Sequence, residues 1–384
     1  MAAATRAPIV VGISSNVLER FGRAARPDGI GVYTRELVDA LATAGVQVLR
    51  IGAPMLVGTR LARPRDASLS FALPLSCMAA ASALKVPAPT ARAVARRIDV
   101  YHATDYLVPK LSRTPVVATI HDAIPLVHPA WANPSMRSLK NWLLRHSAQS
   151  ADIVIAISEA AADELVQHYR IPRERIRIVP LGVHERWFKR PDDAVIQATL
   201  ARHRLHAGYV LHVGTLQPRK NLETLVSAYE SLPQAVREAR QLVLVGKYGW
   251  GATDLRRRLE EIKAGKRVVW LDYVAPQDLQ AIYYGAGMFA YPSLAEGFGL
   301  PLLEALACGL PVIASDLPAL RETAASHAHF VAPDRIDGIA DAIIRVHESP
   351  EDPTAVERRR QHARRYDWRS CAGKTLAVYE EARR

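Results

Sequence analysis

The sequence predicts an α/β protein made of two Rossmann-like halves, each carrying its own parallel sheet. Short runs rich in Val and Ile, such as PIVVGIS (8–14) and QLVLVGK (241–247), are continuously apolar rather than alternating, as in strands buried on both faces. Helix-patterned stretches such as 33–45 and 221–232 lie between them, which is the alternation of α/β layers. The alternation pauses in a polar stretch, about 184–207, and then restarts.

In chain order, the first half offers strands at 8–14, 46–52, 99–103, 115–122 and 152–158. The second offers 209–215, 241–247, 267–274, 288–293 and 311–316. Reading 184–207 as a linker gives a first domain of 1–185, a second of 186–363 and a terminal segment 364–384. That last segment reads as a helix anchored by Trp368, Leu376, Val378 and Tyr379. The run Phe71–Leu84 contains Pro74 and, at 14 residues, is shorter than the ~20 that span a bilayer. The start, MAAATRAPIVVGISSN, lacks a basic segment followed by a full apolar core, so no export signal is read and a cytoplasmic location is expected.

Composition narrows the function classes. The chain has 384 residues, a formal charge of +12, and only three cysteines, Cys77, Cys308 and Cys371, with no CxxC pair. That argues against a disulfide framework and a cysteine-based zinc site. The excess charge fits a basic surface kept for solubility, or a partner that is nucleic acid, an anionic membrane surface or a phosphorylated substrate. An RNP-like aromatic motif, zinc-finger spacing and a dense Lys/Arg tail are all missing from the sequence, which sets nucleic acid aside. Between Arg50 and Arg97 stand eight Lys or Arg (50, 60, 63, 65, 85, 92, 96, 97) against one acidic residue, Asp66. Taken with the resemblance given below, which implies a membrane-borne acceptor on the first half, this stretch is expected to meet an anionic membrane surface.

The richest segment is YPSLAEGFGLPLLEALACGLPVIASDLPALR (291–321). A strand ends near Ser293, the loop AEGFG follows, Pro301 suits a first helical turn, and Gly309 with Pro311 ends the helix. The helix start and the Gly297/Gly299 backbone form an anion-ready pocket. Glu296 on the loop and Glu304 in the helix each accept hydrogen bonds from paired hydroxyls, which suits a ribose or hexose.

A second carrier is VGTLQPRKN (213–221). Arg219 and Lys220 sit where a strand gives way to a helix, and can converge on a diphosphate. Cations placed there stabilise charge on a departing phosphate oxygen. In the first half, Gly29, Ile30 and Gly31 precede a helix expected from about Tyr33, and allow close backbone approach. The GxGxxG fingerprint of dinucleotide enzymes is not found. His121 and Asp122 end the strand PVVATIHD, at the carboxyl edge where parallel sheets bind ligands. No D-x-D triad occurs, so a divalent-metal clamp is not indicated and no metal ligands are assigned.

EGFGLPLLEALACGLPVIASD resembles the E-x7-E region of the retaining glycosyltransferases of family 4, which have the GT-B fold. The resemblance extends over nearly the whole chain, through GIGVYTRELVDAL (29–41), DVYHATDYLVP (99–109), TIHDAIPLVHP (119–129), ADIVIAISEAAADEL (151–165), IVPLGV (178–183), VGTLQPRKNLETL (213–225) and VGKYGW (245–250). It is strongest toward bacterial mannosyltransferases that build O-antigen and other surface polysaccharides from GDP-mannose.

The resemblance implies two Rossmann-like domains facing a central cleft, with a last helix that returns to the first domain. It implies that Glu304 holds the nucleotide ribose and that Glu296 lies near the donor sugar. The Phe298, Gly299 and Leu300 backbone would bind sugar hydroxyls and diphosphate, and Tyr273 and Val274 would pack against the base. Lys220 matches the family lysine. Thr215 stands where the family carries an arginine, so Arg219 is left to supply the second charge. His121 would sit beside the transferred sugar, with Asp122, Tyr101, His102 and Asp105 on the acceptor side. The implied reaction moves a hexose, foremost mannose from GDP-mannose, to a lipid-linked glycan at the cytoplasmic membrane. A UDP- or ADP-sugar donor is the alternative. A double displacement needs a carboxylate nucleophile, and the sequence nominates none. Same-face substitution without a metal or other cofactor is the expectation.

Overall fold

The computed structural model describes residues 9–20, 28–57, 60–62, 67–87, 91–128, 131, 136–249, 251–262, 267–349 and 352–384. The chain start, Arg63, Arg65 and Asp66 of the basic stretch, Pro129 and Trp250 lie outside them. The chain divides into two compact units. The first is Met1–Val127, Pro134–Gly182 and Trp368–Arg384; the second is His128–Asn133 and Val183–Asp367.

The first unit holds a seven-stranded parallel sheet. Its strands are β1 (Val10–Ser14), β2 (Gln47–Gly52), β5 (Leu69–Ser70), β6 (Val100–Ala103), β7 (Val116–Ile120), β8 (Ile153–Ala156) and β9 (Ile176–Ile178), in the order β5-β2-β1-β6-β7-β8-β9. A small antiparallel pair, β3 (Met55–Val57) and β4 (Arg60–Ala62), lies apart from it. The central strands β6, β7 and β8 are buried at every position, which is why their sequences read as unbroken apolar runs. The edge strands β5 and β9 escape sequence detection because they are only two and three residues long.

The second unit holds six parallel strands, β10 (Tyr209–Val213), β11 (Leu242–Val245), β12 (Val268–Leu271), β13 (Ala286–Tyr291), β14 (Val312–Ser315) and β15 (His329–Val331), in the order β12-β11-β10-β13-β14-β15. Its core joins Val210, Leu242, Leu244 and Met288 of the sheet to Leu222, Leu225, Val226 and Tyr229 of the helix Leu222–Ser231 and to Ile339 and Ile343 of the helix Ile336–Glu348. Both sheets and their α/β layering are those the sequence predicts.

Three local expectations are corrected. The stretch 184–207 is not an irregular linker. It contains a 3-10 turn Glu185–Phe188, with Trp187 and Phe188 buried, and the helix Asp193–His203. Ile196, Thr199 and Leu200 give that helix a buried face at i, i+3 and i+4 spacing, hidden among charges. The helix expected from Tyr33 begins at Gly29, one turn earlier, because Asp28 caps it by accepting from the Gly31 N–H at 2.9 Å. Gly29 and Gly31 therefore lie inside a first helical turn rather than in a loop before it. Tyr273 and Val274 do not end a strand: β12 stops at Leu271, leaving Tyr273 exposed and Val274 buried.

The helix Trp368–Ala382 packs in the first unit against the helix Gly29–Thr43. Trp368, Cys371, Thr375, Val378 and Tyr379 form its buried stripe, while Leu376 is only partly buried.

Candidate functional site

Both sheets have a point where strand order reverses. In the second unit the chain leaves β10 outward to β11 and β12, then returns to place β13 on the other side of β10. Parallel sheets bind ligands outside the carboxyl ends of the strands flanking such a point. Here those ends lead into Gly214–Asn221 and Pro292–Gly299, the two segments singled out by sequence.

The structure brings them together. The Lys220 ammonium is ion-paired to the Glu296 carboxylate and donates to the Tyr291 hydroxyl at 2.6 Å. Arg219 Nη1 lies 3.0 Å from the same Glu296 oxygen. Two backbone ties fix the loops: the Leu294 N–H donates to the Arg219 carbonyl at 2.8 Å, and Asn221 Nδ2 donates to the Pro292 and Pro333 carbonyls at 3.0 and 2.6 Å. Lys220 and Glu296 have side chains only 5% and 8% exposed. Burial pushes the Glu296 carboxyl up, but Lys220 and Arg219 outweigh it and hold the group at about 2. The cluster is thus two fixed cations around one fixed carboxylate, poised for a ligand that carries both anionic oxygens and hydroxyls.

Behind it stands His212, unmarked by the sequence reading. Its Nδ1 is 2.9 Å from the Ala290 carbonyl, so it must donate there, which leaves Nε2 as an acceptor. Burial and then Lys220 lower it to about 3, so the ring is neutral. Gly246, at φ +152°, lets the neighbouring turn close in: a Cβ there would sit 1.9 Å from the Gly214 carbonyl oxygen. Thr215 is half-buried beside this turn.

Glu304 lies in the helix Leu300–Cys308, buried, with Oε2 accepting from the Tyr283 hydroxyl at 3.0 Å. Tyr283, fully buried, is a second group that sequence reasoning missed; nothing in YYG distinguishes it from a core aromatic. The helix starts at Gly299, φ +97°, where a Cβ would meet Leu320 Cδ2 at 2.7 Å. Pro301 offers no N–H, and the N–H groups of Leu302 and Leu303 both point to the Gly299 carbonyl. Gly297 and Phe298 are buried, Leu300 is half-buried, and the Phe298 carbonyl accepts from Thr323 at 2.7 Å.

In the first unit, His121 follows β7 and is 7% exposed. The Thr104 carbonyl takes its one ring proton, and Nε2 is buried without a partner among the described residues. Burial lowers the group to about 4, so at neutral pH His121 presents a lone pair. Its ring meets Tyr33 edge-on, with centroids 4.9 Å apart. The Tyr33 hydroxyl is 2.8 Å from Thr119 Oγ1, which is 2.8 Å from His102 Nε2, while His102 Nδ1 is 2.6 Å from the Tyr379 hydroxyl.

This network corrects two acceptor-side assignments. His102 is completely buried with both ring nitrogens occupied by protein, and Tyr101 is buried against Phe71. Both hold the sheet together, since alternate residues of a doubly covered strand have no solvent-facing side. Asp122 caps the loop after β7, accepting from the Tyr106 hydroxyl at 2.9 Å and the Ile124 N–H at 3.1 Å. Asp105 is buried and accepts from the Leu107 N–H at 3.0 Å.

Comparison with known proteins places the fold and the family. Residues 27–187 match the family model described as Glycosyltransferase Family 4, and residues 202–364 match Glycosyl transferases group 1. The chain is 29% identical over 286 residues to the O-antigen chain mannosyltransferase B of Escherichia coli, covering 73% of this chain and 74% of that protein. It is 25% identical over 265 residues to the O-antigen chain mannosyltransferase RfbU of Salmonella typhimurium, covering 69% of each. Among solved structures, sucrose-phosphate synthase from Thermosynechococcus elongatus superposes with a TM-score of 0.74 at 21% identity, over 97% of this chain and 98% of that one. With matched models in both halves and the Lys220–Glu296 cluster at the strand-order reversal, the chain belongs to the family 4 glycosyltransferases of GT-B fold.

Proposed function

We propose that this glycosyltransferase moves mannose from GDP-mannose onto a glycan carried by a lipid diphosphate, with retention of the anomeric configuration and without a metal ion. The clustering of Arg219, Lys220 and Glu296 outside β10 and β13 carries this reading, because it matches the chemistry of a nucleotide-sugar diphosphate. Similarity to two O-antigen mannosyltransferases favours mannose over other hexoses.

In this reading Arg219 and Lys220 hold the diphosphate and Glu304 accepts from the ribose hydroxyls. Glu296, held ionised by its cations, accepts from donor-sugar hydroxyls. The lone pair on His121 Nε2 accepts from a hydroxyl of the transferred sugar. The bond between C1 and the phosphate oxygen breaks, and that oxygen takes the proton of the acceptor hydroxyl. The acceptor oxygen then bonds C1 on the face the phosphate left. Charge growing on the phosphate is stabilised by the two fixed cations, which need no reorganisation.

The protein is also proposed to touch an anionic membrane. No helix among the described residues is long and apolar enough to cross one. The exposed cations Lys85, Arg92, Arg96 and Arg97 support peripheral contact. So do Leu139 and Trp142, exposed on the helix Arg137–Ala148 together with Lys140. The test of the transfer reading is a donor screen with a lipid-linked acceptor, in the presence and absence of EDTA. Release of GDP from GDP-mannose, insensitive to EDTA, is the expected result. Release only from UDP- or ADP-sugars overturns the donor assignment, and turnover with none of them overturns the reading as a whole.

A further inference from the structure

A second concentration of positive charge lies in the first unit, at the opposite edge of its sheet from His121. Arg92, Arg96 and Arg113, with Ala95 and Ser112, line a cavity of about 490 Å³. That is within the range of small-ligand pockets. Arg113 and Ser112 belong to the segment that enters β7, whereas His121 leaves it. A five-residue strand separates the two, roughly 16 Å at about 3.3 Å per residue.

The cations are held in place by packed backbone. Arg92 and Arg96 are four residues apart on one helical turn, so their side chains leave the same face. Val94 and Leu111 are buried beneath, and Thr114 Oγ1 donates to the Ala95 carbonyl at 3.2 Å, joining that turn to the segment carrying Arg113. Among the described residues none of the three guanidinium groups has a hydrogen-bond or ion-pair partner. The nearby acid Asp99 is engaged elsewhere, by Arg383 at 3.5 Å and the Val10 N–H at 2.8 Å. Three like charges around one concavity repel each other, and a multivalent anion turns that repulsion into attraction. Planar guanidinium forks match phosphate oxygens two at a time, and the Ser112 hydroxyl adds a further donor.

We propose that this cavity is a binding site for a phosphate-bearing group, separate from the donor site and not assigned by any similarity to known proteins. A diphosphate fits the three cations best in charge. The same chemistry is offered by a soluble phosphate compound and by the headgroup of an anionic lipid. The site does not rest on the sugar-transfer reading, and it would narrow the membrane contact to one cavity.

The test is protection of arginines from phenylglyoxal in the full-length protein, read peptide by peptide so that the donor site is resolved separately. The probes are inorganic pyrophosphate, phosphatidylglycerol vesicles and phosphatidylcholine vesicles. Labelling of Arg92, Arg96 and Arg113 should slow about tenfold at ten times Kd, while the exposed Arg369 keeps its rate. Protection by pyrophosphate supports a soluble ligand. Protection by phosphatidylglycerol but not by phosphatidylcholine or pyrophosphate supports a headgroup. Protection by none of the three probes, or equal protection of Arg369, overturns the site. The triple variant R92Q/R96Q/R113Q should bind one equivalent fewer of pyrophosphate, or lose its binding to phosphatidylglycerol vesicles, whichever probe protects, and keep its turnover on a soluble acceptor. Unchanged binding by that variant also overturns the site.

Discussion

The Lys220 ammonium, 5% exposed, is ion-paired to the Glu296 carboxylate and donates at 2.6 Å to the Tyr291 hydroxyl. The carboxylate comes from a loop 76 residues away in sequence. The carboxylate is held ionised by Lys220 and Arg219, and it in turn supplies the buried ammonium with its ion-pair partner. Removing Glu296 strands the buried lysine, whereas removing Lys220 leaves the carboxylate with Arg219 as its one remaining cation.

Lys220→Met should therefore destabilise the second unit, by less than the roughly 3–5 kcal/mol of a fully unpaired buried charge because Arg219 still pairs Glu296. It should also lower kcat by about 10²–10³-fold, as expected for a lost stabiliser of developing charge. Denaturant midpoints and single-turnover rates measure the two effects. A stable, fully active Lys220→Met protein would remove Lys220 from the mechanism.

Glu304→Gln keeps the size of the side chain but removes its charge. Affinity for the free nucleoside diphosphate should fall by about 1.5–3 kcal/mol, the range for a hydrogen bond to a charged group. Tyr283→Phe, which frees Glu304 Oε2 from its 3.0 Å partner, should cost about 1 kcal/mol and act through KM more than kcat. Calorimetric titration of the two variants separates direct contact from positioning.

Three buried histidines make stability depend on pH. Burial holds His102 and His212 at about 3 and His121 at about 4, all below the value near 6.5 of an unfolded chain. Between about pH 6.5 and these folded values the unfolded state binds more protons. Stability is therefore fully present above 6.5 and declines as pH falls through that window, by up to about 1.4 kcal/mol per pH unit for each histidine. Urea titrations at about pH 7.5 and about pH 5, on either side of the unfolded value, should differ in midpoint. His121→Asn should remove part of the difference. Equal midpoints at the two pH values would contradict the buried neutral rings.

The His102–Tyr379 contact spans 277 residues of sequence at 2.6 Å. Tyr379→Phe leaves a buried imidazole nitrogen unsatisfied and should cost about 1–3 kcal/mol. Hydrogen exchange should show the loss in the helix Trp368–Ala382 and in β6, with the second unit unaffected. Uniform destabilisation of both units would argue against it.

Gly299→Ala places a methyl group at φ +97° and 2.7 Å from Leu320 Cδ2. The penalty combines left-handed strain of roughly 1–3 kcal/mol with overpacking. Donor KM should rise, because the Phe298–Leu300 backbone is displaced, whereas Gly29→Ala, which meets nothing within 4 Å, should be nearly silent. Equal effects of the two substitutions would show that the Gly299 turn has no special role.

Much was legible in the sequence by itself. The unbroken Val/Ile runs determined both parallel sheets, because a strand covered on two faces leaves no polar periodicity. Gly299, Pro301 and Gly309 determined the limits of the helix that carries Glu304, because each restricts or frees φ in a way no neighbour overrides. Arg219, Lys220, Glu296 and Glu304 stood out as a constellation matching a family motif, because each alone has an ordinary structural use at a strand end or helix start. Tertiary structure alone decided the rest. That Lys220 faces Glu296 depends on strand order, which places β13 beside β10 and is not written in either strand. That His102 and Tyr101 are core rather than acceptor-facing depends on helices covering both faces of β6. Tyr283, Tyr291 and His212 read as ordinary aromatics, since a side chain becomes a positioning group only through the partner that folding sets at hydrogen-bond distance.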